Sequence, residues 1–183
     1  MSLNHHKRKT LPPPQAFTAK ANGCMSELIT KVTVLPGKIL NQQSKGIDVN
    51  AIWDTGATNS AVSKEVVIKL GLVPFRKTPV HGEKICNVYK VDYILPNQLR
   101  IINVDVTEGD LGNFGVLIGM DIIGLGDFAV TQADGNTCFS YRYPPLSSHI
   151  DFTEDINKAR KRFNTNPSSS GGSSKRQKSR RKR

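Results

Sequence analysis

The stretch AIWDTGATNSAV, Ala51 to Val62, ends an apolar run on a single carboxylate, Asp54, and follows it with a hydroxyl, Thr55, and a glycine, Gly56. Such a run in a soluble domain reads as a buried strand. An ionised Asp at its end needs partners or a purpose, because desolvating an unpaired carboxylate is costly. Two readings of the triplet stand side by side. In one, Asp54 closes an Asx-type turn by bonding its own backbone. In the other it is an acid or base, with Thr55 fixing the loop laterally and Gly56 allowing a tight turn and close approach of a ligand.

Outward from this stretch the pattern is rich in strands. LITKVTVL (Leu28 to Leu35) alternates in part and stops at the turn signal Pro36-Gly37, and GIDVNAIW (Gly46 to Trp53) leads into Asp54. ICNVYKVDYIL (Ile85 to Leu95) sets Tyr89, Val91, Tyr93 and Leu95 on one face, with Lys90 and Asp92 on the other. Pro96-Asn97 then joins it to LRIINVDV (Leu99 to Val106) as a hairpin. GVLI (Gly115 to Ile118) is a short buried strand, and FAVTQ and TCFSYRY are split by a hairpin turn at Asp134-Gly135-Asn136. Ser63 caps a helix from Lys64 to Leu70 that ends at Gly71, and Asp151 with Glu154 opens another through about Phe163. Short strands at close spacing with little helix predict an all-β domain, closed or nearly closed.

The charge is segregated. The 183-residue chain carries +11 formally, yet residues 21–150 hold 11 Lys+Arg against 12 Asp+Glu. The excess sits in the first 20 residues and in the tail PSSSGGSSKRQKSRRKR, Pro167 to Arg183. The expected plan is a basic, proline-rich and loosely draped segment over 1–22, a domain over 23–150, a helix over 151–166 and a disordered basic tail over 167–183. The cluster Lys175 to Arg183 could make weak, nonspecific contact with nucleic acid through phosphate neutralisation, but no aromatic residue interleaves it to stack on bases. Three cysteines with no Cys-x-x-Cys pair argue against a disulfide framework and a zinc ribbon, and point to a reducing, cytoplasmic setting. No run of 18 apolar residues appears, so no membrane span and no membrane partner is expected. His5 and His6 read as solvated, and neither metal nor cofactor is expected.

A second patch narrows the reading of Asp54. GVLIGMDIIG, Gly115 to Gly124, is another apolar strand ending in glycine, Gly119, followed by Asp121 and a short apolar helix. AIWDTGA and VLIGMDII together resemble the retroviral-type (retropepsin-like) aspartic proteases, and more closely their bacterial branch. The resemblance spans about Leu28 to Tyr143 and leaves the tails outside it. It implies a closed, single-lobed acid-protease-like barrel with short helices after Gly119 and near the C-terminus. It also implies Asp54 as the catalytic residue, Thr55 and Gly56 as loop stabilisers, Ala57 as space for substrate, and Gly119 with Asp121 as a structural motif. Asp121 falls at the helix start beside the loop, as an acceptor. A flap falls at TPVHGEKI with His81 and Gly82 near its tip, and Val116 either walls the substrate groove or fills the core. Trp53 departs from the small aliphatic residue common at its place.

One Asp-Thr-Gly per chain supplies half of the carboxylate pair that acid–base hydrolysis of an amide requires. The expected solution is a homodimer with one Asp54 from each copy, acting on protein or peptide. The alternative is a catalytically silent, protease-like binding or assembly module.

Overall fold

The computed structural model describes residues 13–37, 45–80 and 84–165. The expectations for residues 1–12, for the tail beyond 165, and for His81 and Gly82 lie outside the described residues. The chain divides into two compact units, residues 1–146 and 147–183.

In the first unit, hydrophobic alternation produces strands whose inward residues make one core. In chain order these are β1 (Gln15–Lys20), β2 (Leu28–Pro36), β3 (Ile47–Trp53), β4 (Ala61–Ser63), β5 (Arg76–Val80), β6 (Lys84–Ile94), β7 (Arg100–Gly109), β8 (Val116–Ile118), β9 (Asp127–Ala133) and β10 (Asn136–Tyr143). Strands β2, β3, β8, β4, β7 and β6 pair in that order, and β6 pairs back onto β2, so the sheet closes into a barrel. Closure removes the free edges that an open sheet would leave. The all-β class and the closed barrel are as expected. Strand β5 pairs with the first part of β6, Lys84 to Val88, as a hairpin arm ahead of the stretch that meets β2.

Helix α1 (Lys64–Leu70) starts where Ser63 Oγ accepts from the Val66 N–H at 3.4 Å, and it ends at Gly71 with φ of 59°. Helix α2 (Met120–Ile123) follows Gly119. In the second unit, α3 (Phe152–Thr165) is capped by Asp151, whose Oδ1 accepts from the N–H groups of Thr153 and Glu154 at 2.8 and 3.0 Å.

One expectation needs correction. The segment over 1–22 is not loosely draped throughout: β1 pairs along its whole length with β10, from Gln15 opposite Tyr143 to Lys20 opposite Cys138. Pairing this remote in sequence leaves no local signal beyond the alternation of Phe17 and Ala19. The first compact unit takes in β1 and runs to Leu146. Asp92, which the alternation alone sets opposite the tyrosines, is completely buried. A register shift between Val91 and Tyr93 tucks it inward, where it accepts from Arg100 Nη2 at 2.6 Å and from the Asn103 N–H at 2.9 Å. Asn103 supplies that N–H from a left-handed conformation, φ 57°.

The sheet β1-β10-β9 joins the barrel through aromatic rings. Phe17, Phe128, Phe139 and Tyr141 surround Trp53 with ring centroids 5.1 to 6.0 Å from the indole. The indole N–H donates to Thr30 Oγ1 at 2.9 Å, so the ring is buried with its polar atom satisfied. The large residue beside Asp54 is thus the hub of an aromatic core.

Buried phenols give this core a definite alkaline limit. Burial, with a lesser effect of Tyr143, pushes the Tyr141 hydroxyl up to about 12. Burial, with the Asp121 charge adding to it, pushes Tyr93 strongly upward as well. An unfolded chain ionises its tyrosines near pH 10. Stability is therefore fully present below about pH 10 and is lost as pH rises through the folded-state values, Tyr141 alone removing on the order of 2 to 3 kcal/mol by pH 12. In an alkaline titration, phenolate absorbance from these two tyrosines should appear together with loss of native circular dichroism. Ionisation of all four tyrosines near pH 10 with the native signal intact would contradict this.

Candidate active site

Parallel pairing creates the site. Strands β3 and β8 run side by side with Trp53 opposite Ile118, so the loops that follow them leave the barrel at the same end. The Asp54 N–H donates to the Ile118 carbonyl at 2.9 Å, which binds the two loops where they emerge. Beyond that point the Asp54 loop lies across the start of α2. The Met120 N–H donates to the Ala57 carbonyl at 2.8 Å and the Asp121 N–H to the Thr58 carbonyl at 3.1 Å.

This crossing requires glycine at 119. A Cβ there would stand 2.7 to 2.9 Å from the Asn59 carbonyl group and the Ala57 oxygen, all of it backbone. Gly119 has an ordinary extended φ of −96°, so contact and not backbone strain excludes a side chain.

Asp54 is half-buried at the end of β3. Its Oδ1 accepts from the Gly56 N–H at 2.8 Å, while Oδ2 has no hydrogen bond among the described residues. A Cβ on Gly56 would lie 3.1 Å from that same Oδ1, which keeps the position small. Thr55 is exposed, and its hydroxyl has no partner among the described residues of the single chain. Ala57 is half-buried, and its N–H donates to the Asp54 carbonyl at 3.2 Å, closing the turn.

Ser60 braces the site and was not singled out from sequence. It is fully buried. Its Oγ donates to Asp121 Oδ1 at 2.7 Å and accepts from the Gly119 N–H at 3.1 Å, while its own N–H donates to Asp121 Oδ2 at 3.1 Å. Asp121 is thus an acceptor beside the loop, and Ser60 links the two motifs. A serine in TGATNSAV gives no sign of this, because its partners lie about sixty residues away. Ser60→Ala leaves the buried Gly119 N–H without an acceptor and should cost about 1 to 3 kcal/mol. Urea unfolding should show it as a lower midpoint at unchanged slope.

The hairpin expected as a flap has its arms in β5 and β6, paired from Arg76 opposite Val88 to Val80 opposite Lys84. His81 and Gly82, between the last pair, lie outside the described residues. Val116 is fully buried, so it fills the core and does not wall a groove. A cavity of about 700 Å³ opens between this hairpin (Lys77, Ile85, Asn87) and the turn at Glu108–Gly112, and Asp54 does not line it. Among the described residues, no group of three or more His, Cys, Asp or Glu side chains gathers to hold a metal ion.

No family model matches the sequence, and no curated protein matches it. Among solved structures the chain is similar to a retropepsin-like aspartic protease from Rickettsia conorii, at 16% identity and a TM-score of 0.45, over 71% of this chain and 95% of that one. It is also similar to the retroviral protease-like domain of Ddi1 from Leishmania major, at 16% identity and a TM-score of 0.37, over 60% of this chain and 91% of that one.

Proposed function

We propose that this chain is a retropepsin-like aspartic endopeptidase that works as a homodimer. One observation carries the reading: a carboxylate with one oxygen engaged by Gly56 and the other without a hydrogen bond among the described residues, on a loop braced from beneath by Gly119, Ser60 and Asp121. A single rigidly held carboxyl is half of an acid–base pair, and a two-fold axis through the loop supplies the second half. The exposed Thr55 hydroxyl is then left for a bond to the second copy.

Two carboxyls about 3 Å apart cannot both ionise comfortably, so the pair shares one proton and divides into base and acid. The ionised Asp54 takes a proton from a water between the carboxyls as the water oxygen adds to the peptide carbonyl carbon. The protonated Asp54 of the partner subunit gives its proton to the carbonyl oxygen. In the second stage the Asp54 that took the water proton gives it to the amide nitrogen, the partner's Asp54 takes back a proton from a hydroxyl of the tetrahedral gem-diol, and the C–N bond breaks, leaving a free acid and a free amine. The substrate is an extended segment of protein, held by main-chain bonds as an added strand beneath the β5–β6 hairpin. The thiols of Cys24, Cys86 and Cys138 are unpaired, which suits a reducing, cytoplasmic setting. No described helix is long and apolar enough to cross a membrane.

The test is concentration dependence together with crosslinking. Specific activity should fall on dilution through the dimer dissociation range. A crosslink or a dimer structure should bring the two Asp54 loops into contact. Cleavage that persists in a strictly monomeric sample would overturn the reading.

A second reading has one observation in its favour. The bond from the Gly56 N–H to Asp54 Oδ1 is an Asx-type turn, which a silent binding or assembly module would also need. A statine-type transition-state mimic separates the two, because it should raise the melting temperature of the parent but not of Asp54→Asn. A silent module would show no such difference.

A further inference from the structure

Helix α3 carries a feature that peptide hydrolysis does not use. At 3.6 residues per turn, Phe152, Ile156, Ala159 and Phe163 fall within about 60° of one another and form one apolar stripe. The three large side chains are 69%, 54% and 81% exposed, so the stripe faces solvent along the whole helix. The same periodicity puts Arg160 and Arg162 on opposite flanks of the stripe. Over residues 152–165 four Lys and Arg stand against two acids, and seven more cations follow between Lys175 and Arg183 with no acid among them. Lys158 is tied to Glu154 at 2.7 Å along the helix surface.

From this arrangement we propose that α3 docks the protein on an anionic lipid bilayer, lying in the interface plane. Charge decides among the possible occupants. A second copy of the helix would bring the same excess of cations, so pairing of two stripes is opposed by repulsion. A nucleic acid would satisfy the cations but leave Phe152, Ile156 and Phe163 in water. A bilayer surface takes both: the aromatic and aliphatic groups enter the acyl boundary, and the flanking arginines reach the headgroup phosphates. The apolar stripe and the cations of the same helix together make the combination of apolar and electrostatic attraction that an interfacial helix needs. This is contact with a surface and not a span. It revises the expectation of no membrane partner, which rested on the lack of a long apolar run.

The test uses the full chain sedimented with vesicles of equal parts phosphatidylcholine and phosphatidylglycerol, against vesicles of phosphatidylcholine alone. Binding should occur to the anionic vesicles and be lost on the neutral ones. Phe152→Ser with Phe163→Ser should weaken it by roughly tenfold or more. Arg160→Gln with Arg162→Gln, which keeps good helix formers, should weaken it about fivefold per residue. Emission of Trp53, the only tryptophan, reports that the barrel is unchanged in each variant. The proposal is overturned if the parent does not sediment with anionic vesicles, or if the phenylalanine variant binds them as the parent does. It is equally overturned if a short RNA or DNA duplex is bound while the vesicles are not. None of these outcomes depends on Asp54, so the proposed hydrolysis stands or falls separately.

Discussion

Replacing Asp54 by asparagine is expected to abolish peptide-bond hydrolysis and leave the barrel folded. Asparagine has nearly the shape of aspartate, and its side-chain oxygen can still accept from the Gly56 N–H, now at 2.8 Å. The bracing by Ser60, Gly119 and Asp121 does not pass through the Asp54 side chain, so melting should move little. What is lost is the ability to take up and release a proton. General acid–base catalysis alone contributes about a hundredfold to ten-thousandfold, and both halves of the pair fail together, so a loss of at least about a thousandfold is expected. A dimer with one parent and one variant chain lacks the pair as well. Adding excess Asp54→Asn to the parent should therefore suppress activity by more than dilution does. A variant that digests acid-denatured protein as fast as the parent would sink the mechanism.

A large structural effect is expected at Gly119. Its hydrogen faces the Asn59 carbonyl and the Ala57 oxygen, and a methyl group in its place would be 2.7 to 2.9 Å from them. These are backbone atoms of the loop that holds Asp54, so no side chain can swing aside. To admit alanine the loop must lift from α2, giving up the bonds from Met120 to Ala57 and from Asp121 to Thr58. Overpacking and lost buried hydrogen bonds together should cost about 3 kcal/mol or more. Gly112 is the matched control. It has φ of 57° and nothing near its missing Cβ, so alanine there meets only the left-handed backbone penalty of about 1 to 2 kcal/mol. Urea midpoints of the two variants compare them directly. A Gly119→Ala loss no greater than that of Gly112→Ala would show that the loops do not cross as tightly as described.

Much of the fold is legible in the sequence where its causes are local. The Ser63 cap, the Gly71 terminus and the Asp151 cap bond groups within a few residues, so residue type and spacing specify them. The hairpins at Pro96-Asn97 and Asp134-Gly135 follow from turn chemistry between alternating runs. Asp54 and Gly119 announce themselves as paired motifs, each an apolar strand running into a glycine, Gly56 or Gly119. Strand β1 does not, because its alternation is brief and its stability comes from β10, more than a hundred residues later. Nothing in the local sequence marks Asp92 as a buried partner of Arg100. Trp53 looks anomalous beside Asp54 until four rings from the other sheet close around it.

The sequence by itself determined the strands, their turns, the helix caps and the residues available for chemistry, because each depends on hydrogen bonds and sterics within a few positions of the chain. Tertiary structure alone decided which of those residues meet. The parallel register of β3 on β8 brings Asp54 beside Gly119, and burial turns Ser60 from an ordinary hydroxyl into the link between them. Such contacts depend on how closed sheets align in space, and that alignment is a sum over the whole core rather than a property of any short stretch.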